Sequence, residues 1–277
     1  EAVSDGKRTG ICGVMEHIEE AGIHSGDSAS VLPPHTLSTE IINEIKENTR
    51  ALARELKVIG LMNIQYAIKG NIIYVLEVNP RASRTVPFVS KATGVPWAKV
   101  ATKLMIGKTL DELKINEVNV KHISVKESVF PFARFSGVDA VLGPEMKSTG
   151  EVMGIDTNFG MAFVKAQIAA GQNLPKSGKV FISVKDGDKR AIPFIAKKLA
   201  DLGFSIIATF GTANVLEKYG INVEKIAKVG EGRPNIVDLI KNREIALIIN
   251  TPLGKKTKKD EVLIRTTAVE RNVPLIT

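Results

Sequence analysis

The sequence predicts two units of different class: an α+β lobe over residues 1–170, then a doubly wound α/β unit with a mostly parallel, five-stranded sheet over residues 171–277. Three observations carry this division. Short apolar runs alternate with helical patterns throughout the second stretch, as βαβ units require, whereas the first stretch contains a hairpin pattern. Charge is uneven: after residue 170 there are 19 Lys and Arg against 11 Asp and Glu, while 19 of each balance before it, so the whole excess of +8 lies in the second unit. Between them, residues 169–178 are small, polar and interrupted by Gly and Pro, as linkers are.

In the first unit Ser38 is placed to cap a long helix with Ile41, Ile45, Leu52 and Leu56 on one face and Ile42, Thr49 and Ala53 beside it. Two β-type runs, 61–68 and 72–78, then flank Lys69-Gly70-Asn71, a hairpin signature. A second helix over 96–106 ends at Gly107. The second unit opens with a strand over 179–184. Asp188 can cap the next helix, which carries Ile192, Ile195, Ala196, Leu199 and Leu202 and ends at Gly203. Strand 204–209 and a helix to Tyr219 follow, then strand 223–229 and a helix after Pro234 with Ile236, Leu239 and Ile240. Strand 245–249, a helix over 260–271 and strand 273–276 complete the pattern. The absence of an initiating Met, and an end where another helix is due, lead us to expect a fragment.

The composition excludes several classes. Hydrophobic residues make up 44%, enough to bury a core, and no apolar run approaches the roughly 18 residues of a membrane span. The first five residues have neither the basic start nor the apolar stretch of a signal peptide. One cysteine, Cys12, lies among apolar neighbours as a packing residue and fits a reducing, cytoplasmic compartment. The basic second unit calls for an anionic partner. Its aromatics are too sparse for a nucleic-acid stacking platform, so a small phosphorylated ligand is expected.

Glu77 and Asn79 stand two apart on the second hairpin strand and leave the same face. Gln65 lies on the partner strand and joins them given an odd turn: three turn residues would pair it with Glu77, two would set it opposite Leu76. Three converging oxygen side chains without thiolate or imidazole suit magnesium or manganese beside phosphates. Arg81 and Arg84 follow, where they could neutralise phosphate oxygens. The competing reading is a solvated strand end with surface arginines.

Residues 77–94, beginning Glu77-Val78-Asn79-Pro80-Arg81, closely resemble the second ATP-grasp module of the carbamoyl phosphate synthetase large subunit. Residues 15–28, beginning Met15-Glu16-His17-Ile18-Glu19, match the same family. The second unit resembles that subunit's regulatory domain, of the methylglyoxal-synthase-like fold. The resemblance implies the C-terminal lobe of an ATP-grasp fold followed by that domain, truncated at its C-terminus. It makes Gln65, Glu77 and Asn79 ligands of Mg2+ or Mn2+, sets Arg84 and Arg81 on the phosphates of ATP, and makes Ile23, His24 and Ser25 nucleotide contacts. Glu19, Asp27 and Glu127 match acids that hold the amine effector ornithine in some members, but Leu275 stands where those members have Tyr. The implied activity is ATP-dependent phosphorylation of carbamate to carbamoyl phosphate, for pyrimidine and arginine synthesis. The implied partners are the remainder of the large subunit and a glutaminase small subunit, with no nucleic acid and no membrane. The fragment alone is expected to be inactive.

In the second unit three loops follow strand ends, the ligand side of doubly wound folds: 185–189, 210–214 and 250–254. Thr209, Gly211 and Thr212 open a helix whose N-terminal amides favour an anion, and Lys189 and Lys228 add charge. With Asn250 and Thr251 these positions resemble the family's pocket for a nucleotide effector such as UMP or IMP, and Pro252 stands where relatives can carry Thr. The run 255–259, rich in Lys, reads as a solvated loop. Two rival readings are a methylglyoxal synthase-type lyase and another ATP-grasp ligase with a fused sensor. All four histidines precede residue 171, which counts against the lyase.

Overall fold

The computed structural model describes residues 1–19, 21–134, 140–251 and 254–276. Two compact units emerge: Glu1–Val129 with Leu142–Ala170, and Phe130–Val141 with Gly171–Thr277. The excursion at Phe130 belongs to the second unit, a grouping that no composition step marks.

The first unit holds two antiparallel sheets. One is built from β1 (Ala2–Asp5), β2 (Thr9–Ile11), β5 (Ile59–Lys69) and β6 (Ile72–Asn79), in the order β2-β1-β5-β6. The other joins β3 (Glu16–His17), β4 (Ser30–Leu32), β7 (Ile123–Val129) and β8 (Gly150–Asp156) in that order. Helix α1 (Thr39–Glu55) starts where Ser38 accepts a hydrogen bond from the Ile41 amide at 3.4 Å. Its buried stripe is Ile45, Thr49 and Ala53; the expected apolar Leu56 is exposed. Thr49 earns its buried place by bonding the Ile45 carbonyl at 2.7 Å and the Tyr66 hydroxyl at 2.9 Å. Helices α2 (Val86–Thr93) and α3 (Trp97–Met105) meet through Trp97, whose Nε1 donates to Thr93 Oγ1 at 2.9 Å. With Val3, Leu61, Val89, Leu104 and Leu110 they form the main core. Helix α4 (Phe159–Ala169) packs so closely on β8 that a Cβ at Gly154 would overlap the Ala162 carbonyl.

The second unit is a fully parallel sheet of β9 (Lys179–Val184), β10 (Ser205–Thr209), β11 (Val223–Ile226), β12 (Ile245–Thr251) and β13 (Leu275–Ile276), ordered β11-β10-β9-β12-β13. Alternate residues of β9 serve opposite faces. Val180, Ile182 and Val184 pack with Ile192 and Ala196 of α5 (Ile192–Asp201) and with Ala213 and Leu216 of α6 (Phe210–Lys218). Phe181, Ile207 and Ile248 pack with Ile236 and Ile240 of α7 (Ile236–Lys241) and with Ile264 and Ala268 of α8 (Gly254–Glu270). Layers on both faces bury every strand of the middle of the sheet, which is why these strands read as unbroken apolar runs. The strand order reverses between β9 and β12, so their carboxyl ends open the crevice where such folds take ligands.

Three expectations for this unit need correction, whereas the helix after Pro234 is found where it was expected. Asp188 does not cap α5: it sits in a 3-10 turn (Asp186–Asp188) with its amide on the Lys185 carbonyl, and α5 begins at Ile192 with Pro193 in its first turn. The third strand ends at Ile226 rather than 229. Helix α7 starts at a capping box in which Asn235 and Asp238 exchange bonds. Helix α8 begins at Gly254, so the lysine-rich run lies in a helix rather than a loop.

Candidate nucleotide and cation site

The hairpin places the candidate ligands, by a route the sequence does not announce. Its turn holds two residues: Lys69 pairs with Ile72, and Gly70 supplies the positive φ of 61° that a Gly-first hairpin turn needs. The expected three-residue turn is therefore wrong. Up to Tyr66 opposite Val75 the register runs as a two-residue turn dictates, which would next set Gln65 against Leu76. A bulge then intervenes, Leu76 becomes the extra residue, and Gln65 pairs with Glu77. The odd residue lies in the strand instead of the turn, and the face shared by Gln65 and Glu77 is the same.

Around that pair the side chains interlock. Asn79 donates its amide to Glu77 Oε1, and Arg81 donates to Asn79 Oδ1 at 3.1 Å. Gln65 Nε2 reaches across to Ser25 Oγ at 3.2 Å. Next to Ser25, His24 accepts the Gly26 amide on Nδ1 at 3.0 Å, which in the neutral ring leaves the proton on Nε2. One cleft of about 940 Å³ takes in all of these: Ile23, His24 and Ser25 on one wall, Gln65, Glu77 and Asn79 on the hairpin, and Arg81 and Arg84 beyond it. Arg84 lies against the Met146 sulfur.

The donor set fits a hard divalent cation. It offers one carboxylate and two amide oxygens, with no soft ligand, and a half-turn of the Asn79 amide exchanges its nitrogen for its oxygen. Among the described residues no group of three or more His, Cys, Asp or Glu could hold a metal. A cation here would need further oxygens from a ligand such as a phosphate.

One residue at the cleft floor went unnoticed in the sequence. Glu1 accepts from Asn63 at 2.8 Å, from Thr85 Oγ1 at 2.6 Å and from Ser83 Oγ, tying β1 and β5 to the segment that carries Arg84. A Ser-x-Thr pair beside two arginines was the available signal.

The three acids matched to an amine effector are engaged with their own chain. Glu19 accepts Ser28 Oγ at 2.6 Å and the Ala29 amide at 2.7 Å, and Asp27 accepts the amides of Lys147 at 2.8 Å and Ser148 at 2.9 Å. Glu127 accepts Gln167 Nε2 at 2.6 Å and the Ser128 amide at 3.1 Å. Burial pushes its carboxyl up to about 7, against the pull of the Ser128 amide and the Lys126 charge and with the push of Glu19.

In the second unit, Lys189 binds Asp186 at 2.6 Å and lies over the start of α6, where its nitrogen would touch a Cβ at Gly211. Lys189 first, then Lys228, holds the Asp186 carboxyl below the usual range, so the two cations share one neighbourhood. The threonines are not free hydroxyls awaiting a ligand, as the sequence suggests. Thr212 is buried and accepts the Val184 amide at 3.3 Å; Thr209 is buried and bonds Ser183 at 3.2 Å. Asn250 is buried too, and Thr251 accepts the Lys185 amide at 3.1 Å. Pro252 lies outside the described residues.

Comparison with known proteins agrees with both units. Residues 1–113 match the family model described as the carbamoyl-phosphate synthase L chain, ATP binding domain, and residues 191–277 match the MGS-like domain. The carbamoyl phosphate synthase large chain of Myxococcus xanthus is 58% identical over 98% of this chain and 25% of its own length. The large chain, C-terminal section, of Aquifex aeolicus is 56% identical over 100% of this chain and 55% of its own length. The chain thus spans between a quarter and about half of these relatives. Two matched domains in this order, with such identity along the full chain, make it a member of the carbamoyl phosphate synthase large-chain family, corresponding to its C-terminal part.

Proposed function

We propose that this chain forms part of an enzyme that phosphorylates carbamate with ATP, giving carbamoyl phosphate and ADP. The observation that carries the reading is the meeting of Gln65, Glu77 and Asn79 beside Arg81 and Arg84 in one cleft. Phosphoryl transfer needs positioning and charge compensation more than covalent help. In this reading Gln65, Glu77 and Asn79 hold Mg2+ or Mn2+, which supplies charge neutralisation on the phosphates when bound. Arg84 and Arg81 meet phosphate oxygens, with Glu1 holding the segment between them in place through Ser83 and Thr85. Ile23, His24 and Ser25 contact the nucleotide, His24 offering Nε2–H. The remainder of the large chain supplies the other lobe of the site, and a glutaminase small subunit supplies ammonia.

The second unit then acts as the effector domain, binding UMP or IMP at Lys189, Lys228, Asn250 and Thr251. Carbamoyl phosphate made this way serves pyrimidine and arginine synthesis in the cytoplasm. Among the described residues no helix is long and apolar enough to cross a membrane. The test is Glu77→Gln in the full-length enzyme, which keeps size and removes one charge from the cation's shell. We expect carbamoyl phosphate formation to fall by ~10²-fold or more, as for loss of a group that stabilises developing charge. Unchanged synthesis in the folded variant would place the ligands elsewhere.

A further inference from the structure

Lys126 is wholly buried at 0% exposure on β7, in the middle of the second sheet of the first unit. An ammonium in that position is costly unless it is paired or well hydrogen-bonded. Among the described residues no carboxylate reaches ion-pair distance from it. Its partners are neutral oxygens: the carbonyls of Ser25 at 3.4 Å and Gly26 at 3.3 Å, and Ser128 Oγ at 3.4 Å. Glu151, Glu127, Glu19 and Asp27 act on it from farther away. A methionine would fill the same length more cheaply, so the charge requires an explanation other than packing.

The partners supply one. Ser25 and Gly26 belong to the turn that forms one wall of the cleft, the turn in which His24 accepts the Gly26 amide and Ser25 meets Gln65. The Gly26 carbonyl takes three donors, Lys126 Nζ at 3.3 Å, Ser128 Oγ at 2.8 Å and Ser148 Oγ at 3.2 Å. Three donors on one carbonyl leave that peptide a single orientation, and so fix which way its neighbours Ser25 and His24 point. Gly26 itself has no room to adjust: a Cβ there would press on the Met146 sulfur at 2.8 Å and the His24 ring at 3.1 Å.

We propose that Lys126 is a positioning residue for the nucleotide site: its buried ammonium pins the Ser25 and Gly26 carbonyls, and through them sets His24 and the Ser25–Gln65 contact beside Glu77. The inference rests on the reading of that cleft as the nucleotide site. It assigns Lys126 no contact with ATP. Its loss should therefore loosen a wall that contacts the nucleotide while leaving the charge-compensating groups in place, a change in KM for ATP more than in kcat.

The experiment compares Lys126→Met and Glu77→Gln in the full-length enzyme, with KM for ATP, kcat and melting temperature measured on each. Lys126→Met should raise KM for ATP about tenfold or more, with kcat within about threefold of the parent. A merely structural lysine would lower the melting temperature and leave KM unchanged, and that result overturns the proposal. Glu77→Gln separates the two layers of argument. If it loses synthesis while Lys126→Met keeps the parental KM, the lysine inference alone fails; if it keeps full synthesis, the site reading fails and the inference with it. Should Lys126→Met not fold, Ser128→Ala decides, since it removes the shortest donor to the same carbonyl. It should raise KM for ATP about threefold, and an unchanged KM would overturn the proposal.

Discussion

The two units hold their polar residues in opposite ways. In the first, Gln65, Glu77, Asn79 and Arg81 bond to one another and to Ser25 across separate elements and open into a cleft. In the second, Thr209, Thr212 and Thr251 turn their hydroxyls back onto neighbouring strand ends, and Lys189 is occupied by Asp186. The difference teaches where preorganisation lies. The first unit has its polar groups joined by internal hydrogen bonds, at a hairpin whose register depends on one bulged residue. The second has a parallel sheet that fixes the crevice, but its cationic group is held by an internal partner, which an effector on the proposed reading would have to displace. On the proposed reading, binding there would exchange one ion pair for another at a partly exposed position, worth less and screened by salt.

The contrast predicts a ranking of effects. Glu77→Gln stands at the top, because of the three proposed ligands Gln65, Glu77 and Asn79 only Glu77 carries a charge. Next comes the exchange at Lys189, tested by titrating the full-length enzyme with UMP and IMP. Lys189→Ala should weaken binding about tenfold at low salt, whereas Asp186→Asn, which frees the lysine, should strengthen it a few-fold. Both variants binding like the parent would remove Lys189 from the pocket and break the comparison.

A smaller effect comes from Glu127 in the first unit, whose carboxyl is pushed up to about 7 by burial. The folded state holds this proton more tightly than the unfolded chain, where a glutamate titrates near 4.3. Stability from this group is therefore fully present below that lower value and is lost as pH rises through about 7. The change should amount to about 1–3 kcal/mol. Melting temperatures of the parent between pH 5 and 8 should fall with rising pH, and Glu127→Gln should flatten that slope. A slope unchanged by the substitution would locate the titrating group elsewhere.

Legibility differs between the units for the same physical reasons. The parallel sheet announces itself, because strands covered on both faces must be apolar throughout, as Phe181 and Ile182 are. The Ser38 cap and the hairpin were equally plain, since each is a local rule. The second sheet of the first unit was not. Glu16–His17 and Ser30–Leu32 are too short to display a period, and in β7 the buried Lys126 and Glu127 break the apolar pattern that would mark a strand. The Leu76 bulge left no trace either: an exposed leucine in an apolar run looks like any other. The candidate site residues were named by spacing and motif, and the geometry that unites Gln65 with Glu77 rests on a feature no local pattern encodes.

The central claim is that Gln65, Glu77 and Asn79 surround a divalent cation bound with the nucleotide. Its most direct test is a crystal structure of the full-length enzyme with ADP and Mn2+, read through the anomalous scattering of manganese. The account predicts an anomalous peak about 2–2.4 Å from the Glu77 carboxylate and from the Gln65 amide oxygen, beside the phosphates. Nucleotide bound with its manganese away from Glu77, or bound outside this cleft, would contradict it.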